Sequence, residues 1–486
     1  MEGGTGRKIL RADRVHIWQI RAFFSMGIFY LFYYFCKYNL GVATPEIQKE
    51  FGFSSELWGL ITTTVFALVY AGGQFVNGFL GDRYGPKRIM LIGGLGGVVV
   101  SVFFGWSNGL VFFTIFWLLN AYFSSCGWAP GSRILFNWFP EKRWGTWMGV
   151  YNALCYSGGA IVTIVAGFAI HYWGTWRAAF FVPAAFLFVM TVIFWILGKS
   201  SPRDAGFETD WEQEKQTRRA GKKEYWGALS NCKMILAYVS GFGANFVRWG
   251  IISWLVKILH APVDAPVVTE RGFGVHIAAA GVIASLAHWG GAFFSLVLGA
   301  VSDLLFKGKR WQTIAIGFFI GAIPLFWLAQ GPEVLDKRVL FEVKLKNRAR
   351  KSAREAQLLE RPQRASASEV PTPAGADSVP SGGRSEERFE VLQVTRGLFM
   401  LGLAIFIAGG LIQAIQTPLF DLPGDILGSE LGGTGVGILD GWMYIGASFA
   451  GVFMGWWLDS YGLVSGIWLM AVVSVASGLV AIPIQK

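Results

Sequence analysis

The apolar residues of this chain come in blocks, each near the length of a helix that crosses a bilayer. About twelve are recognisable: 19–43, 57–80, 88–106, 109–137, 146–171, 176–197, 232–258, 276–305, 311–329, 397–420, 434–457 and 463–484. Only 15% of the 486 residues are charged, against about 25% in a soluble domain. The blocks predict an all-α membrane protein. The first block is too long for the apolar core of a signal peptide and has no cleavage site, so it reads as a span. Cys36, Cys126, Cys155 and Cys232 show neither metal spacing nor a disulfide framework.

A net charge of +11 raises the question of nucleic acid. The positive-inside rule accounts for it better. With the amino terminus inside, the basic segments DRYGPKR (82–88), PEKRWG (140–145), 199–228 and KGKR (307–310) all fall on the cytoplasmic side. Of the short opposite loops, SNG (107–109) has no Lys or Arg, and 259–275 has only Arg271. The acidic loop 421–432 departs from the rule. The reading is a multi-pass protein of the plasma membrane, or of the inner membrane in a bacterium, with both termini cytoplasmic. Lipid is its surroundings and no nucleic acid is a partner.

The chain repeats itself. GFLGDRYGPKR (78–88) and GAVSDLLFKGKR (299–310) both place a glycine four residues before an aspartate, Asp82 and Asp303, with basic residues following. GTWMGVYNALCYSGGA (145–160) matches GTGVGILDGWMYIGAS (433–448), and the same offset carries HYWG (171–174) onto DSYG (459–462). This predicts two six-helix bundles, 1–198 and 229–486, joined by a cytoplasmic linker at 199–228. Parallel duplications of this kind occur in secondary transporters, whose sites lie near the midplane between the repeats. Residues 333–394 interrupt the second half. Their composition cannot bury a core and predicts disorder, and the topology puts them outside despite their basic residues.

Two cations stand where charge is expensive. Lys37 is the only formal charge in AFFSMGIFYLFYYFCKYNLGVA (22–43), and Arg248 lies inside KMILAYVSGFGANFVRWGIISWLV (233–256). A charge at the centre of a span costs about 2.5–3.5 kcal/mol on insertion scales, and such groups face a cavity or a partner. Each lies on the first helix of its half, at similar depth. Together they read as two sides of one anion site.

The stretch from Gly78 to Arg88 resembles the loop signature of the major facilitator superfamily. There Gly78 would let helices approach closely, Asp82 and Arg83 would pair across a closed cytoplasmic gate, and Gly85 with Pro86 would make a tight turn. Lys87, Arg88 and, in the second half, Asp303 complete the gating set. A closer resemblance rests on YYFCKYN (33–39), CGWAPGSRILFNWFPEKRWG (126–145), YNALCYSGG (151–159) and NFVRWGIISW (245–254). These look like the organophosphate:phosphate antiporter family, which includes glycerol-3-phosphate and hexose-phosphate transporters. In that family the positions of Lys37 and Arg248 bind the phosphoryl group, and those of Tyr30, Tyr34 and Tyr70 line the cavity. The surrounding polar set differs. The first-helix arginine of the glycerol-3-phosphate members is Lys37 here, which loses the bidentate fork on that side. A family lysine falls on Gln74, a histidine on Cys155 and a glutamate on His288.

Other polar residues have two readings each. Arg133 fits a structural pair or carbonyl contact at least as well as ligand contact. Asp440, aligned with Asn152 in the repeat, either pairs with a cavity cation or faces water at the membrane edge. Gln413 and Gln416 bond a substrate or, more commonly, a neighbouring helix. GWSNG (105–109) matches a hydrolase nucleophile pattern but sits in a turn between two spans, not at a strand-to-helix elbow. The resemblance therefore implies a monomeric carrier, not an enzyme, without cofactor or metal. It would exchange a phosphorylated organic anion for inorganic phosphate by alternating access. A membrane sensor of sugar phosphates and a carrier of another anion, such as a carboxylate, are the alternatives. Replacing 333–394 by a short Gly/Ser linker is expected to leave transport by reconstituted protein intact.

Overall fold

A computed structural model describes residues 13–52, 57–58, 60–206, 222–261, 271–275, 277–331, 383–428 and 430–484. Twelve long helices run through them. In the first half they are α1 (Asp13–Phe51), α2 (Leu60–Tyr84), α3 (Pro86–Trp106), α4 (Leu110–Trp138), α5 (Trp144–Trp173) and α6 (Ala178–Leu197). In the second they are α7 (Cys232–His260), α8 (Ile277–Leu304), α9 (Arg310–Leu328), α10 (Gly383–Ala414, continued by Gln416–Leu427), α11 (Gly432–Tyr461) and α12 (Leu463–Ala481). A short helix, Lys222–Ser230, leads into α7. Among the described residues, eleven helices are long and apolar enough to cross a membrane. The exception, α1, spans 39 residues, and its tyrosines, Arg21 and Lys37 lower its hydropathy.

Helices suit this solvent because every backbone bond closes within the segment. Side chains follow the same logic: Val111, Phe168, Ile323 and Trp456 point outward, while Asn39, Gln74, Asn245 and Thr417 are enclosed. Packing repeats between halves. In the first, α1 lies on α5 and α6, α3 on α4 and α6, and α2 on α4; in the second, α7 lies on α11 and α12, α9 on α10 and α12, and α8 on α10. The halves meet along α2–α11 and α5–α8.

The repeat extends to the irregularities. Between Ser125 and Trp128 α4 breaks, and α10 breaks at Ile415. Pro130 offers no N–H to the Cys126 carbonyl and Pro418 none to that of Ala414. Each break turns the next residues toward the interface, among them Trp128, Gln416 and Thr417, all buried. The predicted loop needs one correction. Residues 383–394 are helical and belong to α10. The sequence there, GRSEERFEVLQV, is charged enough to resemble the polar stretch before it, yet it holds no proline and extends an apolar helix. The rest of the predicted loop, to residue 382, lies outside the described residues, so the linker replacement is properly confined to it.

At one end of the molecule the two interfaces close backbone to backbone. A Cβ added at Gly78 would lie 2.4 Å from the Gly433 carbonyl oxygen and 2.9 Å from the Gly437 Cα. One at Gly299 would lie 2.3 Å from the Gly145 carbonyl oxygen, and one at Gly149 2.4 Å from that of Ser295. Overpacking of this kind costs about 1–3 kcal/mol. Gly78→Val is therefore expected to insert normally but to separate α2 from α11. Spin labels on the outer faces of these two helices should report a longer distance than in the parent protein.

Candidate functional site

Lys37 projects from α1 into the space between the halves and is 8% exposed. Hydrogen bonds hold α1 on both sides of it: Asn120 Nδ2 on α4 donates to the Cys36 carbonyl at 2.7 Å, and Asn39 Nδ2 donates to the Ala179 carbonyl on α6 at 2.8 Å. Among the described residues the ammonium has no carboxylate within 4 Å. Rings surround it instead, with Nζ 4.0 Å from the Tyr70 centroid, 4.9 Å from Tyr444, 5.6 Å from Tyr34 and 5.9 Å from Phe66. A desolvated cation–π contact contributes on the order of 2 kcal/mol, enough to offset much of the insertion cost without using N–H donors. One donor is used, to Tyr444 Oη at 2.7 Å across the interface. An ammonium has three.

Arg248 on α7 is 4% exposed. Its Nη1 donates to Gln416 Oε1 at 3.2 Å and to Asn245 Oδ1 at 3.5 Å, while Nε has no partner among the described residues. Its guanidinium stands 5.5 Å from the ring of Tyr156, on α5 of the other half. The Tyr156 hydroxyl donates across the interface to the Gln413 carbonyl at 3.1 Å and to Gln416 Oε1 at 3.2 Å. Tyr156 and Tyr444 occupy the same place in the repeat. Each cation thus lies against the corresponding tyrosine of the opposite half.

The other predicted site residues divide. Tyr34 and Tyr70 belong to the Lys37 cage, and Tyr70 meets Tyr444 across the interface at 4.1 Å between centroids. Cys155 is buried close to Tyr34 and within electrostatic reach of both cations. Gln74 is fully buried beside Tyr70, and among the described residues neither of its amide atoms has a hydrogen-bond partner within 3.5 Å. Tyr30 is not in the cage; its ring packs among Tyr33, Tyr34, Trp128 and Tyr151. His288 Nδ1 donates to Gln413 Oε1 at 3.2 Å, and Gln413 Nε2 donates to the Ala287 carbonyl at 2.9 Å, so these two join α8 to α10. Asn152 Nδ2 donates to Thr417 Oγ1 at 3.0 Å, joining α5 to α10. Asp440 is 4% exposed and attracts both cations. Tyr444, Tyr156, Asn245 and Phe66 were not singled out from the sequence. The repeat alignment held the signal for both tyrosines.

The gating set forms a reciprocal clasp. Asp82 of the first half accepts from the Thr434 N–H at the start of α11 at 2.5 Å. Asp303 of the second half accepts from the Gly145 and Thr146 N–H groups at the start of α5 at 3.2 and 2.6 Å, and from Thr146 Oγ1 at 2.7 Å. A carboxylate at a helix N-terminus satisfies orphan donors and meets the positive end of the dipole. The cation beside Asp82 is Arg133, at 3.4 Å, rather than Arg83. Arg83 is exposed over the Phe79 and Tyr84 rings, because the turn directs it away from the interface. Arg133 is thus in a structural pair. Gly85, at φ 99°, and Pro86 make the α2–α3 turn. Lys87 donates to the Trp195 carbonyl near the end of α6 at 2.7 Å, within its own half, and Arg88 is exposed. Asp303 pairs with Arg310, which also stands 3.7 Å from Asp421 and 3.4 Å from Asp425.

A sequence profile described as the Major Facilitator Superfamily matches residues 26–336. The chain belongs to that superfamily. The solved proton:xylose symporter XylE superposes on this facilitator with a TM-score of 0.65, over 96% of this chain and 95% of the other, at 11% identity. A probable hexose phosphate transport protein of Chlamydia pneumoniae is 30% identical over 313 residues, 60% of this facilitator. That match spans 66% of the relative, just under two thirds of its length. The membrane sensor protein UhpC of Escherichia coli (strain K12) is 26% identical over 303 residues, 61% of this chain and 67% of the other. These names agree with the organophosphate:phosphate antiporter resemblance. The facilitator is a multi-pass membrane protein of a transporter family, not an enzyme.

The cross-half tyrosine contacts are testable alone. A hydrogen bond to a charged group contributes about 1.5–3 kcal/mol. Tyr444→Phe should lower thermal stability measurably in detergent, and Tyr444→Ala, which also removes the ring face, should lower it further.

Proposed function

We propose that this facilitator exchanges a phosphorylated organic anion for inorganic phosphate by alternating access. The observation that carries the reading is the pair of buried cations, one from each half, each with donors left over. Lys37 keeps donors beyond the Tyr444 bond, and Arg248 keeps Nε. A phosphoryl group has several acceptor oxygens and would bind both at once, linking the halves through itself. At reduced dielectric that attraction is several times its strength in water.

Exchange rather than net flow follows from the same charges. With no anion bound, Asp440 attracts both cations but offsets only one of the two charges, so the empty site keeps a net positive charge and movements that press the halves together around it are opposed. A bound anion of either kind offsets that charge and permits reorientation. In this reading the Asp82 and Asp303 clasp is the cytoplasmic gate, which opens as the opposite side closes. The organic part of the substrate would be set by the neighbours of the cations, including Gln74, Cys155 and His288. The glycerol-3-phosphate members carry a lysine, a histidine and a glutamate there.

A second reading, a sensor of sugar phosphates, is favoured by the similarity to UhpC. Exchange separates the two. Proteoliposomes loaded with inorganic phosphate should take up labelled external phosphate. Sugar and triose phosphates should compete unequally, and their unphosphorylated parents not at all. A sensor would bind members of this panel without exchange, and a carboxylate carrier would respond to dicarboxylates instead. Lys37→Ala and Arg248→Ala should each weaken phosphate binding roughly ten- to a hundredfold, the worth of a charged hydrogen bond. Arg248→Lys should also be impaired through loss of the planar fork. Near-normal exchange in either alanine variant would remove the site assignment.

A further inference from the structure

Asp440 is an acid enclosed between the halves with no assigned partner. It lies on α11 one turn before Tyr444 and is 4% exposed. Among the described residues its carboxylate makes no hydrogen bond and no ion pair within 4 Å. The charged and titratable groups facing it come from four other helices: Lys37 on α1, Tyr70 on α2, Tyr156 on α5 and Arg248 on α7, besides Tyr444 on its own. His288 on α8 lies within reach of Arg248. The carboxylate is thus directed at the same space as both cations while bonded to neither.

Counting charge at this site gives a definite result. Two cations and one carboxylate leave one positive charge. A phosphate or phosphate monoester that has lost both its readily titrated protons carries two negative charges. Placed in the site with Asp440 ionised, it leaves an unbalanced negative charge in a poorly hydrated enclosure and puts two anions side by side, which is strongly disfavoured. One proton, held in a hydrogen bond between the carboxylate and the phosphoryl group, removes both problems. It can reside on the phosphoryl oxygen, so that a monoanion occupies the site, or on Asp440, so that a neutral acid lies beside a dianion. Both arrangements contain the same atoms and the same net charge of zero.

We propose that Asp440 fixes the charge the site accepts, so that each phosphorylated anion is bound together with one proton. This rests on the anion-site reading above. The aligned residue of the first half, Asn152, is neutral and bonded to Thr417. The duplication therefore supplies the carboxylate once, and the stoichiometry is a single proton. Release of the anion returns the proton to the side on which release occurs.

The test is equilibrium binding of inorganic phosphate to the purified full chain as a function of pH. Above the second pKa of phosphate, binding that takes up one proton weakens about tenfold per pH unit. The parent protein should show that slope. Asp440→Asn should abolish it, because a site of charge +2 accepts the dianion without a proton, and at the alkaline end the variant should bind at least as tightly as the parent. Asp440→Glu should restore the slope, which a merely structural role would not do. A flat profile in the parent overturns the proposal, and does so even if Asp440→Asn fails to fold. A slope retained in Asp440→Asn overturns it as well and assigns the proton to another group, with Lys37→Arg, which keeps its charge at every pH, and His288→Gln as the controls. Absence of phosphate binding by the parent at every pH overturns the anion-site reading itself.

Discussion

The architecture depends on holding a positive charge between two bundles without neutralising it. A carboxylate in contact with Lys37 would stabilise the ammonium but occupy it. Ring faces attract the charge through their quadrupoles and leave N–H donors available. The one direct hydrogen bond goes to a tyrosine of the opposite half. Arg248 is held on the same principle, by a tyrosine ring and by amide oxygens. The site is electrostatically incomplete, and its completion involves both halves together.

The clasp at the closed end uses a different force. Its contacts are backbone donors at two helix starts and carboxylates from the facing half. Glycines on both sides let the backbones come near enough for a short aspartate side chain to reach. The spacing of glycine and aspartate within each loop is thus one geometric unit, set by the distance between the helices. The site and the clasp share the helices α2, α5, α8 and α11, so a change in either is transmitted along rods rather than through loops.

Much of this was legible in the sequence because membrane solvation imposes simple rules. A charge inside an apolar block is conspicuous, and Lys37 and Arg248 stood out on that ground alone. The spans and the duplication were equally visible. Tyr444 and Tyr156 were not, since tyrosines abound in this chain and composition does not tell a cage from an interfacial belt. Only the repeat placed them together, and only the structure showed that each faces the other half's cation. Arg83 adjoins Asp82 in the sequence, but the helical turn sends it outward and brings Arg133 in from α4, which adjacency along the chain does not reveal. The start of α10 was missed because its first residues are charged and follow a proline- and serine-rich stretch.

Duplication made the two clasps alike in plan but not in composition. Where the first half has Arg133, the corresponding position of the second is Asp421, so the charge is inverted at equivalent places in the fold. One clasp is a simple couple of opposite signs. In the other, the single guanidinium of Arg310 faces three carboxylates, those of Asp303, Asp421 and Asp425. Loss of Arg133 removes the cation beside one buried acid, and loss of Arg310 removes it from beside three. The molecule is therefore symmetric in shape and lopsided in fault tolerance. Substitution of Arg310 should cost more stability than substitution of Arg133.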